Sequence, residues 1–139
     1  MKSLLTIFAL LFTLQSFAQE DYTLITEEDG IEVYAKIGRE KWLDKESSKI
    51  LLIWVKNTTD QDVIYEVGAE FFFKMALQET FPPQQFCVKS GSSKKGKLDG
   101  IYYKSCDLSN EQIMGDNFDY EVIFEVKEKG ADCSSFLKE

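Results

Sequence analysis

Residues 118–126 constrain the fold more than any other part of the chain. Phe118, Tyr120, Val122, Phe124 and Val126 share one parity, while Asp119, Glu121 and Glu125 share the other; only Ile123 breaks the alternation. Successive side chains of a strand point to opposite faces, so a period of two describes a strand packed on one side and wet on the other. Antiparallel sheets accommodate one-sided burial, whereas parallel sheets need cover on both faces. The chain must therefore build an antiparallel sheet with one buried face.

Other segments supply the partners. Residues 31–37 alternate in the same way after the turn-like Glu28-Asp29-Gly30. Residues 50–55 form a continuous apolar run, which fits a central strand, and the polar stretch 56–62 fits the turn after it. Residues 63–67 begin a return strand, and Gly68 marks either a bulge or a bend before Phe71-Phe72-Phe73. Pro82-Pro83 removes two backbone donors and so cannot lie in a central strand. A hairpin is expected about Lys94-Lys95-Gly96-Lys97, between strands near 85–89 and 101–106. Residues 108–116 form one helical turn or stay irregular, and Ser109 with Gln112 matches a capping box. Six to eight short strands with little helix predict an all-β fold of two packed antiparallel sheets; a closed eight-stranded barrel usually needs more chain.

The first residues stand apart from this pattern. Lys2 precedes an apolar stretch over residues 4–14, and Ser16-Phe17-Ala18 supplies the small-x-small site that a signal peptidase cuts. The expectation is a cleaved signal over residues 1–18, with cutting between Ala18 and Gln19, and a single domain over 19–139. The apolar stretch is shorter than the roughly 20 residues of a membrane span, so no membrane insertion is expected. Secretion to a periplasm or the exterior follows.

Charge and residue usage then exclude classes of function. With 16 basic and 24 acidic residues the chain carries −8, which becomes −9 once Lys2 is lost. Nucleic-acid binding needs a cationic surface that displaces counterions, so a nucleic-acid partner is not expected. There is no histidine. Serine–histidine and cysteine–histidine nucleophile systems are therefore excluded, and the usual acid–base group near neutral pH is missing. A paired-carboxylate hydrolase remains formally open, but the acids alternate along strands as a solvated face would. The reading is non-enzymatic, with no cofactor and no metal. Neither Glu27-Glu28-Asp29 nor the 116–119 segment has an EF-hand spacing.

Three cysteines remain, Cys87, Cys106 and Cys133, and an oxidising compartment joins two of them. Cys87 and Cys106 lie about equally far from the expected hairpin tip, which favours that pair. Cys133, in a polar tail, is left free, open to another chain, or able to displace the preferred pairing. Four residues are candidate contacts for a partner or glycan. Trp42 lies in a charged connection, and Tyr102 and Tyr103 point to opposite faces, so at most one of them need be core. Phe72 must face away from Phe71 and Phe73, which leaves an apolar side chain on an outer face. The lysines 89, 94, 95 and 97 read as a solvated hairpin tip, with contact to an acidic polymer as the alternative. Asn57-Thr58-Thr59 reads as a plain turn, although it matches a glycosylation sequon.

The layout of residues 50–126 resembles bacterial immunoglobulin-like domains of the CARDB type. The likeness lies in Leu51-x-Ile53-x-Val55-x-Asn57-Thr58, the 63–67 return strand, the Ser90-Gly91-Ser92 turn and the closing Tyr120-x-Val122-x-Phe124-x-Val126. Thr59 stands where those domains usually carry glycine, and no proline precedes Gly91. The resemblance implies an immunoglobulin-like sandwich used for adhesion, spacing or assembly, and it carries over no catalytic residue. The functional expectation is a secreted binding or adhesion module that acts through an exposed sheet face or edge. A carbohydrate-binding module and a secreted enzyme inhibitor or envelope-stress factor are its rivals.

Overall fold

The alternating segments become strands of two facing sheets. A computed structural model describes residues 21–136; the expected signal sequence and its cleavage site lie outside them. β1 (Thr23–Glu28), β2 (Ile31–Arg39) and β3 (Lys49–Asn57) form an antiparallel meander. The chain then crosses to a second sheet, where β4 (Val63–Phe73) is the centre, with β5 (Ala76–Val88) on one side and β8 (Phe118–Lys129) on the other. Between these last two strands the chain returns to the first sheet. There β6 (Ser93–Lys95) and β7 (Tyr102–Lys104) both pair with β3. The result is an all-β sandwich of a five-stranded and a three-stranded antiparallel sheet.

The buried faces match the sequence parity. Ile31, Val33, Leu51, Ile53 and Val55 of the first sheet meet Tyr65, Val67, Ala69, Phe71 and Val88 of the second, all essentially without exposure. Phe71 also packs edge-on against Phe81 and Phe118, with ring centroids 4.9 and 5.3 Å away. Asn57 ends β3 in the core. Its Nδ2 donates to the Gln61 and Val88 carbonyls at 2.7 and 3.2 Å, and its Oδ1 accepts from the Thr59 amide and hydroxyl. The Asn57 side chain is consumed by the turn, as the plain-turn reading expects.

Two expectations change, and a third holds in a sharper form. The hairpin about residues 94–97 does not form, because its first arm, residues 85–88, pairs with β4 as the end of β5, whereas residues 102–104 pair with β3. β6 and β7 are two halves of one edge strand, interrupted by an excursion over residues 97–100 that the Ile101 amide closes onto the Gly96 carbonyl at 3.0 Å. Gly96 starts the excursion at φ 58° and ψ −146°, a region that a side chain disfavours strongly.

Secondly, Pro82-Pro83 stays out of any central strand, as expected, without ending its own. β5 runs through it as a sheet edge, where missing donors face no neighbour. The prolines sit in a bulge opposite Gly68, since Val67 pairs with Gln84 and Ala69 with Phe81. β4 itself is unbroken.

Thirdly, the disulfide joins Cys87 to Cys133, with Cα atoms 5.4 Å apart, and Cys106 is free and exposed. The Cys106 amide donates to Glu79 of β5, eight residues from Cys87, which along a strand is about 26 Å. No side-chain rearrangement spans that distance. Cys133 arrives beside Cys87 because the chain turns back after β8. The Gly130 amide donates to the Asp62 carbonyl at 2.8 Å, and the Cys133 amide to Asp62 Oδ2 at 3.4 Å.

Two short α-helices complete the described residues: α1 (Asn110–Met114) and α2 (Cys133–Phe136). α1 carries the expected capping box, with Ser109 and Gln112 each bonding the other's backbone amide. Among the described residues no helix is long and apolar enough to cross a membrane.

Candidate functional site

The outer face of the five-stranded sheet is unusual for a solvated surface. Register places Tyr34 of β2 opposite Trp54 of β3, and Trp54 opposite Lys95 of β6. Inward neighbours Val33 and Val55 belong to the core, so these three side chains must point outward. Tyr34 stacks on Trp54 at 4.9 Å with the rings 30° apart, and Tyr22 meets Trp54 edge-on at 5.6 Å. Lys95 Nζ stands 4.7 Å from the Trp54 ring and 5.2 Å from Tyr22, with Lys36 Nζ 4.6 Å from Tyr22. Each such contact contributes on the order of 0.5–1 kcal/mol at an exposed site.

Burial raises the Tyr22 hydroxyl above its ordinary value, with Asp21 adding to the effect. Tyr34 is raised by burial and by the hydrogen bond it donates to Glu32 at 2.9 Å. The phenols therefore stay neutral donors. Trp54 Nε1 is buried beneath this layer with no hydrogen-bond partner among the described residues.

Beside the aromatic layer lies a groove of about 870 Å³, lined by Tyr22, Arg39, Trp42, Leu52, Lys97 and Leu98 among others. Its walls come from two irregular segments. One is the 97–100 excursion, which leaves Leu98 fully exposed. The other is the 40–48 connection, where Trp42 is 78% and Leu43 79% exposed. Glu40 anchors that connection, because its carbonyl accepts from Lys97 Nζ at 3.1 Å and its carboxylate from Lys104 at 2.9 Å. The hydrogen bond from Lys104 holds the Glu40 carboxyl below its usual range. Asp99 is engaged by the Lys95 amide at 2.6 Å. Cations therefore outnumber acids around the groove, on a protein whose net charge is −8.

The four residues singled out in the sequence do not converge. Trp42 lines the groove. Tyr102 pairs with Leu52 on the same sheet but faces a separate hollow with Phe81 and Pro82. Tyr103 turns inward, 8% exposed, and its hydroxyl donates to the Val67 carbonyl at 3.0 Å, so it is a core residue and not a contact. Burial pushes that hydroxyl up to about 12. Phe72 does face outward, but on the opposite sheet, in a hollow of about 710 Å³ with Lys74, Met75 and Asp119.

The lysines expected at a hairpin tip divide as well. Lys95 and Lys97 belong to the groove, and Lys94 pairs with Val55. Trp54, Tyr34, Tyr22 and Leu98 are not marked as contacts by the sequence pattern. For Trp54 a signal existed, since it has the opposite parity to Ile53 and Val55; a continuous apolar run hides which of its members face out.

Comparison of the chain with protein-family models, curated proteins and solved structures returns no match.

Proposed function

We propose that the protein is a secreted, non-catalytic binding module whose contact surface is the outer face of the five-stranded sheet, and that its ligand is an anionic glycan. The carrying observation is one composite surface. An exposed indole, Trp42, shares a groove with Arg39, Lys95 and Lys97 and adjoins the Tyr34–Trp54–Tyr22 layer. Aromatic faces stack on the apolar faces of sugar rings, while ammonium and guanidinium groups pair with carboxylate or sulfate substituents. The lack of histidine favours binding over catalysis, as does the ion-paired setting of Glu40 and Glu66. The Cys87–Cys133 bond is compatible with an oxidising, extracytoplasmic compartment. The adhesion role implied by the resemblance to CARDB-type domains belongs to the same class of function.

Titration with neutral and acidic oligosaccharides, followed by tryptophan fluorescence, tests this reading. Acidic sugars are expected to change the emission. The response should weaken steeply toward 1 M salt, where charges are screened beyond about 3 Å. Trp42→Ala should weaken binding about tenfold, the loss of roughly 1.4 kcal/mol of stacking, with unchanged thermal stability because the side chain is exposed. A flat response across acidic and neutral sugars removes the glycan as ligand.

A further inference from the structure

Sheet edges are normally blunted, because a row of free backbone groups invites another chain to pair. Three of the four edges here are blunted. β5 carries Pro82-Pro83 and two irregularities, the β6–β7 edge is interrupted by the 97–100 excursion, and β1 is six residues long with a bulge at Ile25. β8 differs. It pairs with β4 in unbroken register from Phe118 to Val126, and its other side pairs with no strand among the described residues.

On an antiparallel strand alternate residues turn both backbone groups to the same side. The Val126 amide donates to Glu28 at 3.5 Å and the Tyr120 amide to Asp119 at 2.8 Å, so neither faces β4. Val122 and Phe124 have the same parity and therefore turn their donors and acceptors to the open edge.

The burial of the β8 side chains also marks this edge as uncovered. Phe118, Tyr120, Val122, Phe124 and Val126 face into the sandwich yet all remain partly exposed. The partners of the last four across the ladder, Phe71, Ala69, Val67 and Tyr65, are at most 1% exposed, whereas Phe73 opposite Phe118 is half-buried. The facing strand β1 presents Thr26 and Glu28 by its register, which cover the seam poorly. On the outer face Asp119, Glu121 and Glu125 of β8 adjoin Glu66 and Glu70 of β4. Lys127 bridges Glu66 and Glu125 at 3.5 and 3.0 Å, and no other lysine or arginine forms an ion pair with these acids among the described residues.

We propose that β8 accepts an added strand from a partner protein: an extended segment with apolar side chains facing inward and lysine or arginine facing out. Backbone bonding at Val122 and Phe124 supplies the docking. The partly exposed row accepts the apolar side chains, and the acids select the basic ones. A second copy of this chain is the poorer occupant, since antiparallel self-pairing about Ile123 sets each copy's Glu121 opposite the other's Glu125. This surface is separate from the groove, and its success or failure is independent of the glycan reading.

The test uses the mature protein and a short capped peptide alternating valine and lysine, followed by amide hydrogen exchange. Saturating peptide is expected to slow exchange at Val122 and Phe124 about tenfold or more, while core amides of β3 stay unchanged. The same peptide N-methylated on its pairing edge, and a valine–glutamate peptide, should each bind at least about tenfold more weakly. The protein variant Glu121→Lys with Glu125→Lys should weaken the lysine peptide to a similar degree, with folding checked by its unchanged melting temperature. Equal binding of the N-methylated peptide would show that side chains alone adhere, and overturns strand addition. Unprotected Val122 and Phe124 at saturation, or a dimer formed through β8 in sedimentation equilibrium, overturns it as well.

Discussion

Two buried tyrosines show how much depends on where a hydroxyl lands. Tyr65 and Tyr103 both lie in the core, but only Tyr103 finds an acceptor, the Val67 carbonyl; the Tyr65 hydroxyl has no partner among the described residues. Burial raises both phenols, and Tyr65 further than Tyr103. A buried hydroxyl without a partner keeps its desolvation cost, whereas a bonded one recovers it. Tyr65→Phe is therefore expected to stabilise the fold by about 1 kcal/mol, while Tyr103→Phe should cost about 1 kcal/mol by orphaning an acceptor. Urea unfolding of the two variants checks the sign directly, and equal shifts in both would refute the distinction. Parity within Tyr102-Tyr103 said that at most one ring need be core, but sequence alone carries no sign of which, since the answer depends on the register against β3.

At the scale of elements, β4 and β5 are shaped by one glycine and two prolines. A Cβ on Gly68 would sit 2.7 Å from the Phe81 carbonyl oxygen and 3.0 Å from Pro83 N, both backbone atoms that cannot swing aside. Gly68 is thus the residue that lets the bulge close onto β4, not a break between two strands. Gly68→Ala should cost about 2–3 kcal/mol, the upper range for overpacking, measurable as a lower denaturant midpoint. A loss under about 0.5 kcal/mol would mean that the bulge is free to move away. The prolines were legible as edge signals, and β5 is an edge. Their continuation as one strand was not, because a bulge depends on the partner strand opposite.

The whole molecule is closed by one covalent bond. Cys87–Cys133 ties the end of β5 to the segment after β8, across 46 residues, and positions α2 beside Ile64 on the outer face of the three-stranded sheet. A loop of that length contributes about 4 kcal/mol through the unfolded chain. Cys133→Ser should lower stability by roughly that amount, and Cys106→Ser, at an exposed free thiol, should leave it nearly unchanged. If the two variants melt alike, the pairing is wrong; a non-reducing peptide map tests the same pairing independently.

The sequence by itself determined the antiparallel class, the parity of β2 and β8, the cap of α1, the turn at Asn57 and the outward placement of Phe72. All of these follow from local periodicity and short-range bonding. Tertiary structure alone decided that β6 and β7 share the edge of β3, that Cys133 reaches Cys87, and that Trp54, Tyr34 and Tyr22 meet Trp42 and Leu98 on one face. The physical reason is common to all three: each is a juxtaposition between strands far apart in sequence, set by register and by which edge remains unpaired, and no spacing along the chain encodes it.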